Sequence, residues 1–232
     1  MAAPIVKVCG VVDPAELALL AAAGASDAGV WWGVAGSARS LSVPQLQDLG
    51  QADAPIRRAL VTFSSDAEGI ALAAAALDAD WIQLHAFQRP SVVDELRRRL
   101  DAAGRDRRIV KVLHLDAGVL LEGPFLGAYG CAGADGYLLD TVVGGRIGST
   151  GIRADPAALE RAVERLDRSF LVAGGLGADD AERFVGLAAS EHWRGIDVDS
   201  SARNASGAFD ATAVSALVAA WSPWAERRAV LA

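Results

Sequence analysis

"IVKVCGVVDPAELALLAAAG", residues 5 to 24, contains the unit from which the rest of the chain is built. A short β-branched run, IVKVC (5–9), gives way to PAELALLAAAG, an alanine- and leucine-rich stretch with helical spacing. Asp13-Pro14 stands between them, a capping carboxylate with proline behind it, and predicts a helix start. The alternation then recurs along the chain. Strands are expected at AGVWW (28–32), RALVTF (58–63), WIQLH (81–85), IVKVLHL (109–115), GYLLDT (136–141), FLVAGG (170–175) and GIDVDS (195–200). Between and after them come VPQLQDL, DAEGIALAAAALDA, PSVVDELRRRLDAAG, a less regular segment near 117–131, DPAALERAVERL, ADDAERFVGLAA and DATAVSALVAAW, with Asp155 and Asp210 as further caps.

Strands separated by helical crossovers imply a parallel sheet covered on both faces, which is why the runs are apolar throughout rather than alternating. Eight such units predict an α/β fold, a single-domain (β/α)8 TIM barrel over residues 1–232. A doubly wound open sheet shares the alternation. Its fingerprint would be GxGxxG after the first strand, and CGVVDP does not supply it.

Composition narrows the function. Hydrophobic residues make up 52% and charged residues 22% of the 232, enough for a large core. No apolar run approaches the roughly 18 residues of a membrane span, and MAAPIVKVCG does not read as a signal peptide. Two distant cysteines offer neither a disulfide framework nor a CxxC site, which suits a reducing cytoplasm. A formal charge of −7 argues against nucleic-acid binding, so a small-molecule ligand is expected, on a monomer or homodimer without a membrane partner.

In a barrel, ligands bind at the C-terminal ends of the strands. That rule selects Cys9, His85, Asp140, Gly174, Gly175, Ser200 and Ser201 as candidates converging on one mouth. Cys9 alone could equally be a small buried hydrophobe, and Asp140 a loop cap. Together they form an acid–base pair: burial raises a carboxyl's pKa and a nearby cation lowers a thiol's. The loops LVAGGL (171–176) and DVDSSARNASG (197–207) follow strands seven and eight, where barrels hold phosphate with backbone N–H groups. GGRIGSTG (144–151) is a glycine-rich loop, lid or connection. Arg39, in a small-residue loop after strand two, has the bidentate fork of a carboxylate clamp. His114 and His192 lack ligand spacing, and no metal is expected. Trp31-Trp32 and WSPW (221–224) read as packing aromatics.

This ordered set of motifs resembles the phosphoribosylanthranilate isomerase family of tryptophan biosynthesis, along nearly the whole chain. KVCG is similar to the family's K-[IV]-C-G, Ser37-x-Arg39 to S-x-R, IQLH to V-Q-L-H-G, and YLLDT to L-L-D. GSTGIRAD resembles G-G-T-G-x-x-F-D, LVAGGL resembles L-A-G-G-L, and GIDVDSSAR resembles G-V-D-V-S-S-G-V-E. The resemblance implies a cofactor-free Amadori rearrangement of a phosphoribosylated arylamine, with Asp140 as general acid and Cys9 as general base. It further implies that Arg39 holds the anthranilate carboxylate and that the Gly174–Gly175 and Ser200–Ser201 loops cradle the phosphate. His85, Gly148, Thr150 and Gly151 complete the expected substrate contacts.

The departures are also specific. The strand-four glycine is Ala86, G-G-T-G is Gly148-Ser149-Thr150-Gly151, and Ala154 and Pro156 replace the aromatics around Asp155. FYPxSxR has become WWGVAGSAR, and Asp199 falls where a phosphate-binding serine is expected. An acid there is expected to repel a phosphate, which opens two alternatives: the same chemistry on a differently glycosylated aminobenzoate, or a non-catalytic binding or scaffold barrel. Gly10 is expected to leave room for the substrate's sugar beside the thiol.

Overall fold

The computed structural model describes residues 4–142 and 155–223. Eight parallel strands run as β1 (Ile5–Val11), β2 (Asp27–Trp32), β3 (Arg57–Thr62), β4 (Trp81–Leu84), β5 (Arg108–Asp116), β6 (Gly136–Val142), β7 (Ser169–Val172) and β8 (Trp193–Val198). Each pairs with its sequence neighbour, and β8 pairs with β1 through Ile5↔Gly195 to Val8↔Val198, so the sheet closes. The fold is the (β/α)8 barrel that the repeat predicts.

A helical segment follows every strand: α1 (Pro14–Ala22), α2 (Val43–Gly50), α3 (Ala67–Ala76), α4 (Pro90–Ala102), α5 (Leu126–Cys131), α6 (Pro156–Val163), a 3-10 segment (Ala178–Ala189) and α7 (Ala211–Trp221). The predicted caps form. Asp13 accepts from the Glu16 amide at 2.8 Å, Asp155 from Ala157 at 3.2 Å, and Asp210 from Thr212 at 2.8 Å. Two stretches depart from the expected pattern. ADDAERFVGLAA winds as 3-10 helix because Phe184 leaves helical geometry (φ −105°, ψ 16°), and its ring lies 6.3 Å from that of Trp221. Near 117–131, Ala117 and Gly118 take positive φ and turn the chain, so Val119–Leu120 pairs back on the end of β5 before α5 begins.

The apolar residues divide into two layers. The larger lies between barrel and helices, and includes Leu17, Leu60, Ile82, Leu113 and Leu217. The smaller fills the barrel with Ala59, Trp81, Val112, Leu138, Leu171 and Ala173. Alternation along each strand also sends polar groups inward. Lys7 and Gln83 are fully buried, and Asp197 is 7% exposed. These inward polar residues underlie the site.

Candidate active site

The C-terminal strand ends enclose a pocket of about 400 Å³. Cys9 reaches it from β1, Trp31 from β2, His85 from the end of β4, Asp140 from β6, Gly174 and Gly175 from the end of β7, and Asp197, Asp199, Ser200 and Ser201 from β8 and its loop. Seven sequence candidates therefore share one cavity: Cys9, His85, Asp140, Gly174, Gly175, Ser200 and Ser201. Gly148, Thr150 and Gly151 lie outside the described residues. Arg39 sits beside the pocket, joined to it through Asp199.

Cys9 is held by two donors. The Trp31 indole Nε1 lies 3.1 Å from Sγ and the Lys7 Nζ 3.3 Å. Lys7 also forms a buried ion pair with Asp197 at 2.7 Å. Burial pushes the Cys9 thiol up to about 11; the Lys7 ammonium pulls against this, Asp197 adds to it, the Trp31 hydrogen bond opposes it and Asp199 adds again. Burial works against the Lys7 charge, yet Asp197 and Cys9 outweigh it and hold the ammonium above its ordinary value. For Asp197, burial raises the carboxyl despite Lys7. The thiol is thus the centre of a buried polar cluster. Trp31, expected to be a packing aromatic, is instead a ligand of Cys9, because β2 alternation turns it inward; Trp32 packs against the outer core.

Asp140 lies on the opposite side of the mouth, with its Oδ2 3.3 Å from His85 Nε2. The two are close but not aligned as a hydrogen bond, so Nε2 remains unpaired. The Gln83 amide meets His85 Nδ1 at 2.9 Å, and Phe63 stacks on the ring at 5.0 Å, fixing its plane. His114, in register with Asp140 on the neighbouring strand, binds Glu122 at 2.6 Å within the wall.

Gly174 and Gly175 take φ of +106° and +63°, a left-handed pair that L side chains rarely adopt. Such turns expose successive backbone N–H groups to an anion. Ser201 Oγ is shielded from solvent and has no partner among the described residues.

Asp199 overturns one expectation. Its carboxylate is not a bare acid beside the pocket. Arg39 Nη1 meets its two oxygens at 2.9 and 2.7 Å, and Arg203 Nε meets Oδ1 at 2.7 Å. Aligned with D-V-S-S-G-V-E, the chain has an acid where the motif has serine and Arg203 where it has glutamate. The three side chains sum to one positive charge, and the repulsion expected of Asp199 is cancelled locally. Gly10 is corrected too. Its φ is +90°, and a Cβ there would meet Arg39 Nη1 at 2.8 Å and Arg203 Nη2 at 2.9 Å. The space that the missing side chain of Gly10 leaves is occupied by guanidinium groups, not left open for a sugar.

Fold and site together define a (β/α)8-barrel enzyme with a thiol and a carboxyl facing one strand-end pocket. Residues 6–220 match the model of the family described as N-(5'phosphoribosyl)anthranilate (PRA) isomerase. The chain belongs to this isomerase family. The N-(5'-phosphoribosyl)anthranilate isomerase of Afipia carboxidovorans is 29% identical over 222 residues, 93% of this chain and 88% of that protein. The solved phosphoribosyl anthranilate isomerase of Thermococcus kodakaraensis is 25% identical with a TM-score of 0.72, covering 94% of this chain and 98% of its own. A second solved isomerase, in complex with reduced 1-(o-carboxyphenylamino)-1-deoxyribulose 5-phosphate, has a TM-score of 0.69 at 18% identity, covering 93% and 96%.

Proposed function

We propose that this protein converts N-(5-phosphoribosyl)anthranilate into 1-(2-carboxyphenylamino)-1-deoxyribulose 5-phosphate, with Asp140 as general acid and Cys9 as general base. One observation carries the reading: in a chain of this family, the Cys9 thiol and the Asp140 carboxyl line the same pocket. Asp140 gives its proton to the furanose ring oxygen as the C1–O bond breaks, and the amine lone pair forms the protonated Schiff base. Cys9, as thiolate, removes the C2 proton and gives the enolamine. Loss of the C2 hydroxyl proton and protonation at C1 yield the ketone. Only protons move, so the sequence needs no cofactor. Lys7 and Trp31 supply the positive charge and the N–H that stabilise the thiolate against the burial that disfavours it. The Gly174–Gly175 turn and the Ser200–Ser201 loop hold the phosphate, and Arg39 the carboxylate. The two thiols, both free, suit a reducing cytoplasm.

The test is to supply the purified protein with enzymatically generated phosphoribosylanthranilate and follow the loss of its fluorescence. Turnover is expected, and Cys9→Ala and Asp140→Asn should each lower it by roughly 10²- to 10⁴-fold with an unchanged circular dichroism spectrum. No turnover by the intact protein would refute the substrate. An active double variant would refute the roles.

A further inference from the structure

We propose that Asp199 is a positioning residue for substrate recognition: it holds Arg39 by one nitrogen and leaves the other edge of the guanidinium to bind the aryl carboxylate. This deepens the function proposed above and rests on its reading of Arg39.

The geometry of the guanidinium carries the argument. Both Asp199 oxygens bind Arg39 through Nη1 alone, at 2.9 and 2.7 Å. Among the described residues, Nε and Nη2 have no partner. Those two nitrogens form the planar edge that matches a carboxylate bidentately. The group is fixed from a second direction, since its central carbon lies 5.5 Å from the centre of the Trp31 ring. Trp31 and Asp199 both line the pocket, so the guanidinium they hold stands beside it.

Arg203 makes this arrangement tolerable for an anionic substrate. It balances Asp199 through Nε at 2.7 Å and spends its other nitrogens on backbone, reaching the carbonyls of Gly207 at 2.9 Å and Gly10 at 3.1 Å. Its face packs on Phe209 at 3.7 Å. Arg203 is therefore immobilised and fully used, whereas Arg39 is immobilised and half used. A substrate carboxylate arriving at Arg39 meets a guanidinium whose counter-charge is already neutralised by a second arginine. The serine and glutamate of the family motif would not produce this division of labour, so the acid at 199 and the base at 203 act as a unit.

The experiment compares two glycosides, N-(5-phosphoribosyl)anthranilate and N-(5-phosphoribosyl)aniline, which lacks the carboxylate. The intact protein should prefer the first. In Asp199→Ser the preference, as the ratio of kcat/KM values, should fall roughly tenfold or more, through KM for the anthranilate compound. Any change in phosphate binding at position 199 acts on both compounds alike and cancels in that ratio, and a merely structural loss would leave the ratio unmoved. Arg39→Met should lose the same preference, and adding Asp199→Ser to it should change nothing further. An unchanged ratio in Asp199→Ser would overturn the proposal, as would an increased one, which would make Asp199 a competitor of the substrate. Failure of the intact protein to turn over either glycoside would instead remove the reading beneath it. Turnover by the intact protein with an unaltered ratio in the variant isolates the failure to Asp199.

Discussion

Replacing Trp31 by phenylalanine removes one N–H from Cys9 and keeps an aromatic, though smaller, face for Arg39. The indole nitrogen lies 3.1 Å from Sγ, in a site where burial pushes the thiol up to about 11. A thiol at that value is thiolate in about one molecule in 10⁴ at pH 7, so turnover depends on whatever sustains this minor form. A hydrogen bond to a charged group is worth about 1.5–3 kcal/mol, so its loss should lower the thiolate population roughly 10- to 100-fold. The remaining thiolate is more basic and more reactive, and with a Brønsted slope near 0.45 the net loss of rate is roughly 3- to 12-fold. The other groups facing Sγ are Lys7, Asp197 and Asp199, and the phenylalanine leaves all three in place. The assay is alkylation of Cys9 by iodoacetamide in a Cys131→Ser background, since Cys131 is the other thiol and is exposed. Rates from pH 7.5 to 10.5 lie below the thiol's midpoint in both proteins, so a further raised thiol places the Trp31→Phe curve below the parent's, whereas easier access alone would place it above. An unmoved curve in Trp31→Phe, with kcat/KM within twofold of the parent, would refute the reasoning.

Lys7→Met strands Asp197 inside the barrel. A loss of about 3–5 kcal/mol is expected, seen as a fall in Tm of roughly 6–20 °C. The carboxyl is already raised by burial and can escape by binding a proton, so the loss should be larger at pH 8 than at pH 5; an equal loss at both would contradict this. Lys111 is held at about 8 because burial outweighs the Glu122 carboxylate 3.8 Å away. The unfolded chain binds that proton up to about pH 10.4, so this group adds stability as pH rises from about 8 to 10, by about 2 kcal/mol. Cys9, raised in the native state, acts in the opposite direction, so the comparison is between Lys111→Met and its parent in urea at pH 8 and pH 10, and the variant should lack the gain. Gly10→Ala combines strain at φ +90° with displacement of two guanidinium groups, and should raise KM for the anthranilate glycoside at least as much as Asp199→Ser; an unaffected KM would show that Arg39 does not need its place over Gly10.

The barrel was legible because its strands are apolar on both faces and its helices open on aspartate caps, two signals that do not depend on tertiary structure. The 3-10 segment after β7 was not legible, since ADDAERFVGLAA has sound helical spacing and only the position of Phe184 near Trp221 breaks it. Within the site, position along the repeat was enough for Cys9, His85 and Asp140. The groups that set the thiol's chemistry were missed, although signals existed. Lys7 and Asp197 are opposite charges inside two otherwise apolar strands, a pattern that asks for a partner. Strand parity puts Trp31 on the same face as Asp27 and Gly29, and therefore beside β1. Asp199 and Arg203 stand at the spacing of an i,i+4 ion pair. What no local pattern could supply was Arg39 against Asp199, 160 residues apart.

The ion pair between Lys7 and Asp197 spans the seam where the first strand meets the last, across 190 positions of chain. The carbonyl of Cys9 is tied across the same seam by Arg203 Nη2 at 3.3 Å. The thiol's environment is therefore among the last features the chain can assemble, although Cys9 itself belongs to the first strand. A three-quarter-length chain lacks Asp197 and Arg203, and with them both ties across that seam. Pairings of such long range form slowly, so recovery of activity after denaturation should track the slowest folding phase and not the earlier gain of helix. Closing the barrel and completing the surroundings of its thiol are one event.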